Sequence, residues 1–129
     1  MPAPVDRRYA RTHVWARPEN TGDVRVGFTR VPCSWLGDVV YAELPAPGTD
    51  VRAGEPIGLV ESSVAVCEVV APVSGVVVDV NPVVEGSPET ITADPFEGGW
   101  LLAIRPSDPA EVGSLLSGEE YDRLFPSEE

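Results

Sequence analysis

Prolines and glycines interrupt this chain so often that no long helix fits into residues 1–106. HVWARP, DVRVGFT, DVVYAELP, VAVCEVVAP, GVVVDVNP and WLLAIRP are strand-sized, most of them carry several β-branched residues, and they are set off by Pro, Gly or Asp. Proline fixes φ and brings no ladder donor, while glycine loses more conformational freedom than other residues on ordering. Each interruption therefore ends or bends an element. β-Branched residues suit a pleated surface. Strands this short are stable only when several pair over a shared core. The pattern predicts a mainly β architecture, closed or sandwich-like. A hydrophobic fraction of 43% in 129 residues fits one domain with one modest core.

Between the strands, turns are expected at Pro47-Gly48 and Ala53-Gly54, ahead of a strand from Pro56 to Glu61. Gly54, Gly58 and Gly75 serve backbone geometry in this reading. VRAGEPIGLVES and VVEGSPETITAD share a glycine turn before a polar residue and proline, an echo too short to define a repeat. Residues 22–36 are harder to place, with VPCSWLG suited to a short helix. Two short helices are predicted near the end. Asp108 caps the first, Pro109 sits at its first position, and Glu111 is placed to complete a reciprocal cap. Val112, Leu115 and Leu116 would form its apolar face. Ser117-Gly118-Glu119-Glu120 repeats that logic before Tyr121, Leu124 and Phe125, so the paired carboxylates initiate a helix. FPSEE reads as a frayed tail.

Twenty-one acidic residues outweigh nine basic ones, giving a formal charge of −12. Such a surface repels phosphate backbones, which argues against nucleic acid as a partner and favours docking on basic protein surfaces. Apolar runs fall short of a membrane span, and the basic N-terminus lacks the apolar core of a signal peptide, so a cytoplasmic location is expected. Cys33 and Cys67 permit one disulfide at most, and two buried thiols are the plainer reading. With His13 they lack metal-site spacing, so no metal is expected. No Ser/His/Asp set accompanies His13, which reads as a packing or surface residue. Trp35 and Trp100 read as core or cleft packing.

All nine basic residues are arginine, so the chain contains no lysine. That matters most in GLVESSVAVCEVVAPVSG, residues 58–75, which has the outline of a presentation hairpin. One strand enters through Gly58–Val60, Ser62 and Ser63 favour a turn, and Val64–Val70 leaves as the second strand. The exposed candidates at the tip are Ser62, Ser63 and Val64. Valine has no attachment chemistry.

RYARTHVW (residues 8–15), LGDVVYAELPAPGTDVRAGEPIGLVES (36–62), APVSGVVVDVN (71–81) and DPFEGGWLLAIRPSDPAE (94–111) together resemble the H protein family of the glycine cleavage system. The resemblance covers nearly the whole chain, with separated motifs in family order. It implies a lipoyl-domain-like barrel-sandwich hybrid with short C-terminal helices, one domain over residues 1–129, structured over about 7–125. It also implies a protein that is not an enzyme. Such a carrier takes an aminomethyl group on a lipoyl-lysine from glycine decarboxylase to a tetrahydrofolate-dependent aminomethyltransferase, and dihydrolipoamide dehydrogenase reoxidises it. Glu61, Ser62, Ser63, Val64 and Ala65 fall on the family's attachment motif, with Val64 at the modified-lysine position and Glu61 at the recognition acid. Gly75 matches the downstream glycine. Cys67 stands where a small polar residue is usual, Val14 where an acid follows the histidine, and Thr92 where asparagine is frequent.

Lipoate is joined through a lysine amine, so no lipoyl cofactor is expected here. The first expectation is a non-lipoylated H-like protein in a protein-binding, regulatory or accessory role, its partners the glycine-cleavage enzymes or a protein of another pathway. A second is a thiol-based carrier or catalytic accessory using Cys67. VAVCEVV offers that thiol no nearby base or cation, however, and strict alternation from Val64 sets Cys67 opposite Val64 and Val66. The third is the H protein of glycine decarboxylation itself, as the overall resemblance suggests.

Overall fold

The computed structural model describes residues 3–126. β1 (Arg8–Tyr9), β2 (Val14–Pro18) and β3 (Val24–Phe28) run as an antiparallel meander. Helix α1 (Arg30–Leu36) follows, capped by the Thr29 hydroxyl, which accepts from Val31 N–H at 3.3 Å. Next come β4 (Val39–Glu43), β5 (Asp50–Val51), β6 (Pro56–Ser62), β7 (Val66–Val70) and β8 (Gly75–Val80). α2 (Pro82–Gly86), α3 (Thr90–Ala93), β9 (Leu102–Pro106), α4 (Pro109–Gly113) and α5 (Gly118–Leu124) complete the order.

The strands form two antiparallel sheets, β1-β2-β3-β9-β8-β5 and β4-β6-β7. The chain crosses from the first sheet to the second at β4, returns at β5, crosses again for β6 and β7, and ends in the first. Val26, Val51, Val77, Leu102 and Ile104 of one sheet and Val39, Val60 and Val69 of the other share a single buried cluster. Period-two alternation produces this arrangement, because every second residue of a strand faces the opposite sheet. Gly58 and Gly75 permit close approach between strands: a Cβ at Gly58 would strike the Glu43 carbonyl, and one at Gly75 the Arg105 carbonyl.

A second cluster of Tyr9, Trp15 and Tyr121 ties the N-terminal strands to α5. The Tyr9 and Tyr121 rings stack with centroids 4.9 Å apart, and the Arg7 guanidinium lies 4.6 Å from the Trp15 ring centroid. Ala3 N–H donates to the Asp122 carboxylate at 2.9 Å and the Tyr9 hydroxyl to Pro4 O at 2.6 Å, so the chain is held from Ala3 onward.

VVEGSPETITAD forms α2 and α3 whereas VRAGEPIGLVES is turn and strand, so the echo defines no structural repeat, in line with the sequence reading. Asn81 decides this, its side chain accepting from Val83 N–H at 3.0 Å while Pro82 occupies the first helical turn. Several expectations need correction. Glu111 does not close a reciprocal cap on α4. Its carboxylate reaches the β7–β8 turn and accepts from Ser74 N–H at 2.7 Å and Ser74 Oγ at 3.3 Å. A turn donor with no ladder partner is the stronger claim on that carboxylate. α4 ends at Gly113, so Val112, Leu115 and Leu116 are not one helical face. Val112 and Leu115 pack on the main core, while Leu116 exchanges backbone hydrogen bonds with Tyr9 at 2.8 Å. The expected capping box on α5 is present, with Ser117 N–H donating to Glu120 at 2.9 Å and Glu120 N–H to Ser117 Oγ at 3.1 Å. Of the expected frayed tail, residues 127–129 lie outside the described residues.

Candidate functional site

β6 and β7 meet at a tight tip. Glu61 pairs with Val66, and Ser62 N–H donates to Ala65 O at 2.9 Å, leaving Ser63 and Val64 at the apex. The returning strand starts at Val66 rather than Val64, because Ser62–Ala65 is the turn. Ser62 organises it. Its Oγ accepts from Val64 N–H at 3.2 Å and Ala65 N–H at 3.1 Å, and donates to Ala65 O at 3.4 Å. That occupies the hydroxyl's donor and both acceptor sites. Ser62 is 6% exposed, so it is not the exposed attachment candidate the sequence suggested. It shares inward parity with Val60, two residues earlier. Ser63 is exposed, Ala65 packs against the core, and Val64 stands 77% exposed.

Register sorts the remaining side chains onto two faces. Ala42, Val60 and Cys67 lie abreast and point inward onto the core. Tyr41, Glu61 and Val66 lie abreast on the outer face, followed by Glu43, Leu59 and Glu68. A register shift between Val39 and Tyr41 inserts Val40 as a bulge. Without it, alternation would send Tyr41 inward; the bulge leaves both Val40 and Tyr41 exposed. Sequence alternation alone could not locate this outer face, since nothing in DVVYAELP marks the extra residue.

The thiols sit in protected places. Cys67 is half-buried on the inner face, opposite Val66, and burial pushes its pKa up. Cys33, on α1, is pushed up to about 12 by burial, and its Sγ lies 3.6 Å from Ile91 O. Both thiols are free. An unactivated thiol facing a core is a poor nucleophile.

His13 has a left-handed backbone, φ 70°. Its Nδ1 lies 2.7 Å from the Tyr121 hydroxyl, which lies 2.8 Å from Thr29 Oγ1. Burial lowers the imidazole pKa. The ring packs edge-on against Trp35 and Phe125, which makes it a packing residue, as expected. Trp35 is the correction here: it is 56% exposed, because α1 buries Pro32 and Leu36 instead. Trp100 is half-buried, with the Arg25 guanidinium 4.3 Å from its ring centroid. Val14 is fully buried in the core opposite Phe28, and Thr92 on α3 donates to Glu89 O at 3.3 Å.

The hairpin is hydrogen-bonded up to its apex, but its apex residue carries no amine. No other side chain in the 129 residues supplies a lysine, so the residues present do not fit a lipoyl amide.

Comparison with known proteins places the whole chain. A family model described as glycine cleavage H-protein matches residues 7–128. The glycine cleavage system H protein of Anaeromyxobacter sp. (strain K) is 45% identical over 129 residues, covering 100% of both chains. That of Bacillus subtilis (strain 168) is 40% identical over 124 residues, covering 96% of this chain and 97% of the other. The crystal structure of a glycine cleavage system H protein from Mycobacterium marinum superposes with a TM-score of 0.85 at 41% identity, covering 95% of this chain and 98% of that one. The expected lipoyl-domain-like barrel-sandwich fold is therefore the observed one.

Proposed function

The chain belongs to the glycine cleavage H-protein family, and from that membership we propose that it serves a glycine cleavage system through its protein contacts, without a lipoyl arm of its own. The family's H protein is a carrier rather than a catalyst, and we assign this chain no catalytic step. One observation carries the reading: a hairpin stapled by Ser62 up to its apex presents Val64, in a sequence with no lysine. A rigid tip is suited to recognition by a partner protein, whereas an amide-linked cofactor needs a primary amine. Full-length identity to H proteins supports the glycine-cleavage enzymes as the partners. The thiol-carrier reading draws no support from Cys67, whose inward face and raised pKa work against thiolate chemistry.

Intact mass after treatment with lipoate ligase, lipoate and ATP tests the missing arm. The natural chain is expected to keep its mass, and Val64→Lys to gain one lipoyl increment, since the turn around position 64 depends on Ser62 and not on the residue it holds out. A stoichiometric lipoyl increment on the natural chain would sink the reading.

A further inference from the structure

We infer that the outer face of the β4-β6-β7 sheet, with the hairpin apex, is a docking surface for a protein whose matching patch interleaves apolar side chains with cationic ones. This deepens the partner-binding reading above and rests on it. Four of the nine exposed large hydrophobic side chains among the described residues belong to this one small sheet and its tip: Val64 at 77%, Val40 at 63%, Val66 at 59% and Tyr41 at 48% exposure. Exposed apolar side chains scattered singly need no explanation, whereas a group on one rigid face does. Register sets Tyr41 and Val66 in one row across Glu61, Val40 adjoins Tyr41 through the bulge, and Val64 stands beyond that row at the apex. Ser62 holds the apex still, so little freedom is lost when it is bound.

Charge identifies the occupant. Glu61 lies between Tyr41 and Val66 in that row, Glu43 and Glu68 flank Leu59 in the next, and β4, β6, β7 and the turn between β6 and β7 contain no arginine. From residue 53 to residue 104 the sequence has eight acidic residues and no basic one. Arg8, Arg17, Arg25 and Arg105 lie on the other sheet. The Tyr41 phenol registers the local field, its pKa raised chiefly by the Glu43 charge and also by Glu61. Such a face disfavours a second copy of itself, which would set carboxylate against carboxylate, and an anionic lipid or nucleic acid for the same reason. A partner whose surface sets Arg or Lys among apolar side chains satisfies both parts.

The test titrates the full chain separately with purified glycine decarboxylase, aminomethyltransferase and dihydrolipoamide dehydrogenase of a glycine cleavage system, at low and at physiological salt. The inference expects at least one to bind, with affinity falling as salt rises. Val64→Asp with Val66→Asp should weaken that binding by about tenfold or more, and E43Q/E61Q/E68Q should flatten its salt dependence. Val83→Asp, at a valine on α2 that is also exposed, should change neither. All the substituted side chains are solvent-facing or half-buried, and a melting curve for each variant verifies folding. Binding that is indifferent to both sheet variants overturns the docking surface and leaves the partner reading standing. If none of the three enzymes binds the natural chain, the partner reading falls and takes this inference with it.

Discussion

At the residue scale, Ser62 and His13 matter through what their polar atoms already hold. Ser62→Ala removes the acceptor for two tip amides and leaves the fold around it intact. It should cost about 1 kcal/mol in denaturant unfolding, with hydrogen exchange accelerated at Val64 and Ala65 and unchanged at Val60. Uniform exchange across the hairpin would mean the backbone bond from Ser62 to Ala65 suffices. For His13, burial lowers the folded pKa below its ordinary 6.5. The unfolded chain then takes up a proton at a pH where the folded chain stays neutral. Stability is therefore fullest above 6.5 and declines as pH falls through that value towards the depressed one. His13→Asn tolerates the left-handed backbone and cannot titrate. Between about pH 7.5 and pH 5.5 its melting temperature should fall less than that of the natural chain; equal slopes would refute the assignment.

At the element scale, one dipeptide carried two meanings. Asn81-Pro82 ends β8, as a proline after a strand must, and also starts α2, as Asn followed by Pro at the first helical position does. The first meaning alone conceals α2 and α3. Asn81 is buried and, besides capping α2, donates to Gly98 O at 2.9 Å and Trp100 O at 2.8 Å. Asn81→Ala should therefore cost about 2–4 kcal/mol, far more than the loss of an exposed cap. Chemical denaturation measures this directly, and Asn81→Asp separates the functions: it keeps the cap and loses both donated bonds. The capping box on α5 was legible because all its parts lie within four residues. The role of Glu111 is not legible locally because its partner, Ser74, comes from a turn 37 positions away.

At the scale of the whole molecule, a charge of −12 on a body this small is self-repelling, and the arginines gathered on the larger sheet relieve little of it on the smaller one. Raising salt from about 10 mM to about 150 mM should therefore raise the melting temperature; a fall would mean that surface ion pairs such as Arg17–Glu19 outweigh the repulsion. The strand-sized runs, their punctuation, the family motifs and the absence of lysine are all local properties, and they determined the fold class, the hairpin and the chemistry Val64 cannot perform. What tertiary structure alone decided was direction. Alternation divides a strand's residues into two sets without saying which set faces water, and a single bulge at Val40 resets that division on β4. The packing of one sheet against the other turned Cys67 and Ser62 inward and left Val64, Val66 and Tyr41 outside, because only the location of the core fixes which face must be dry.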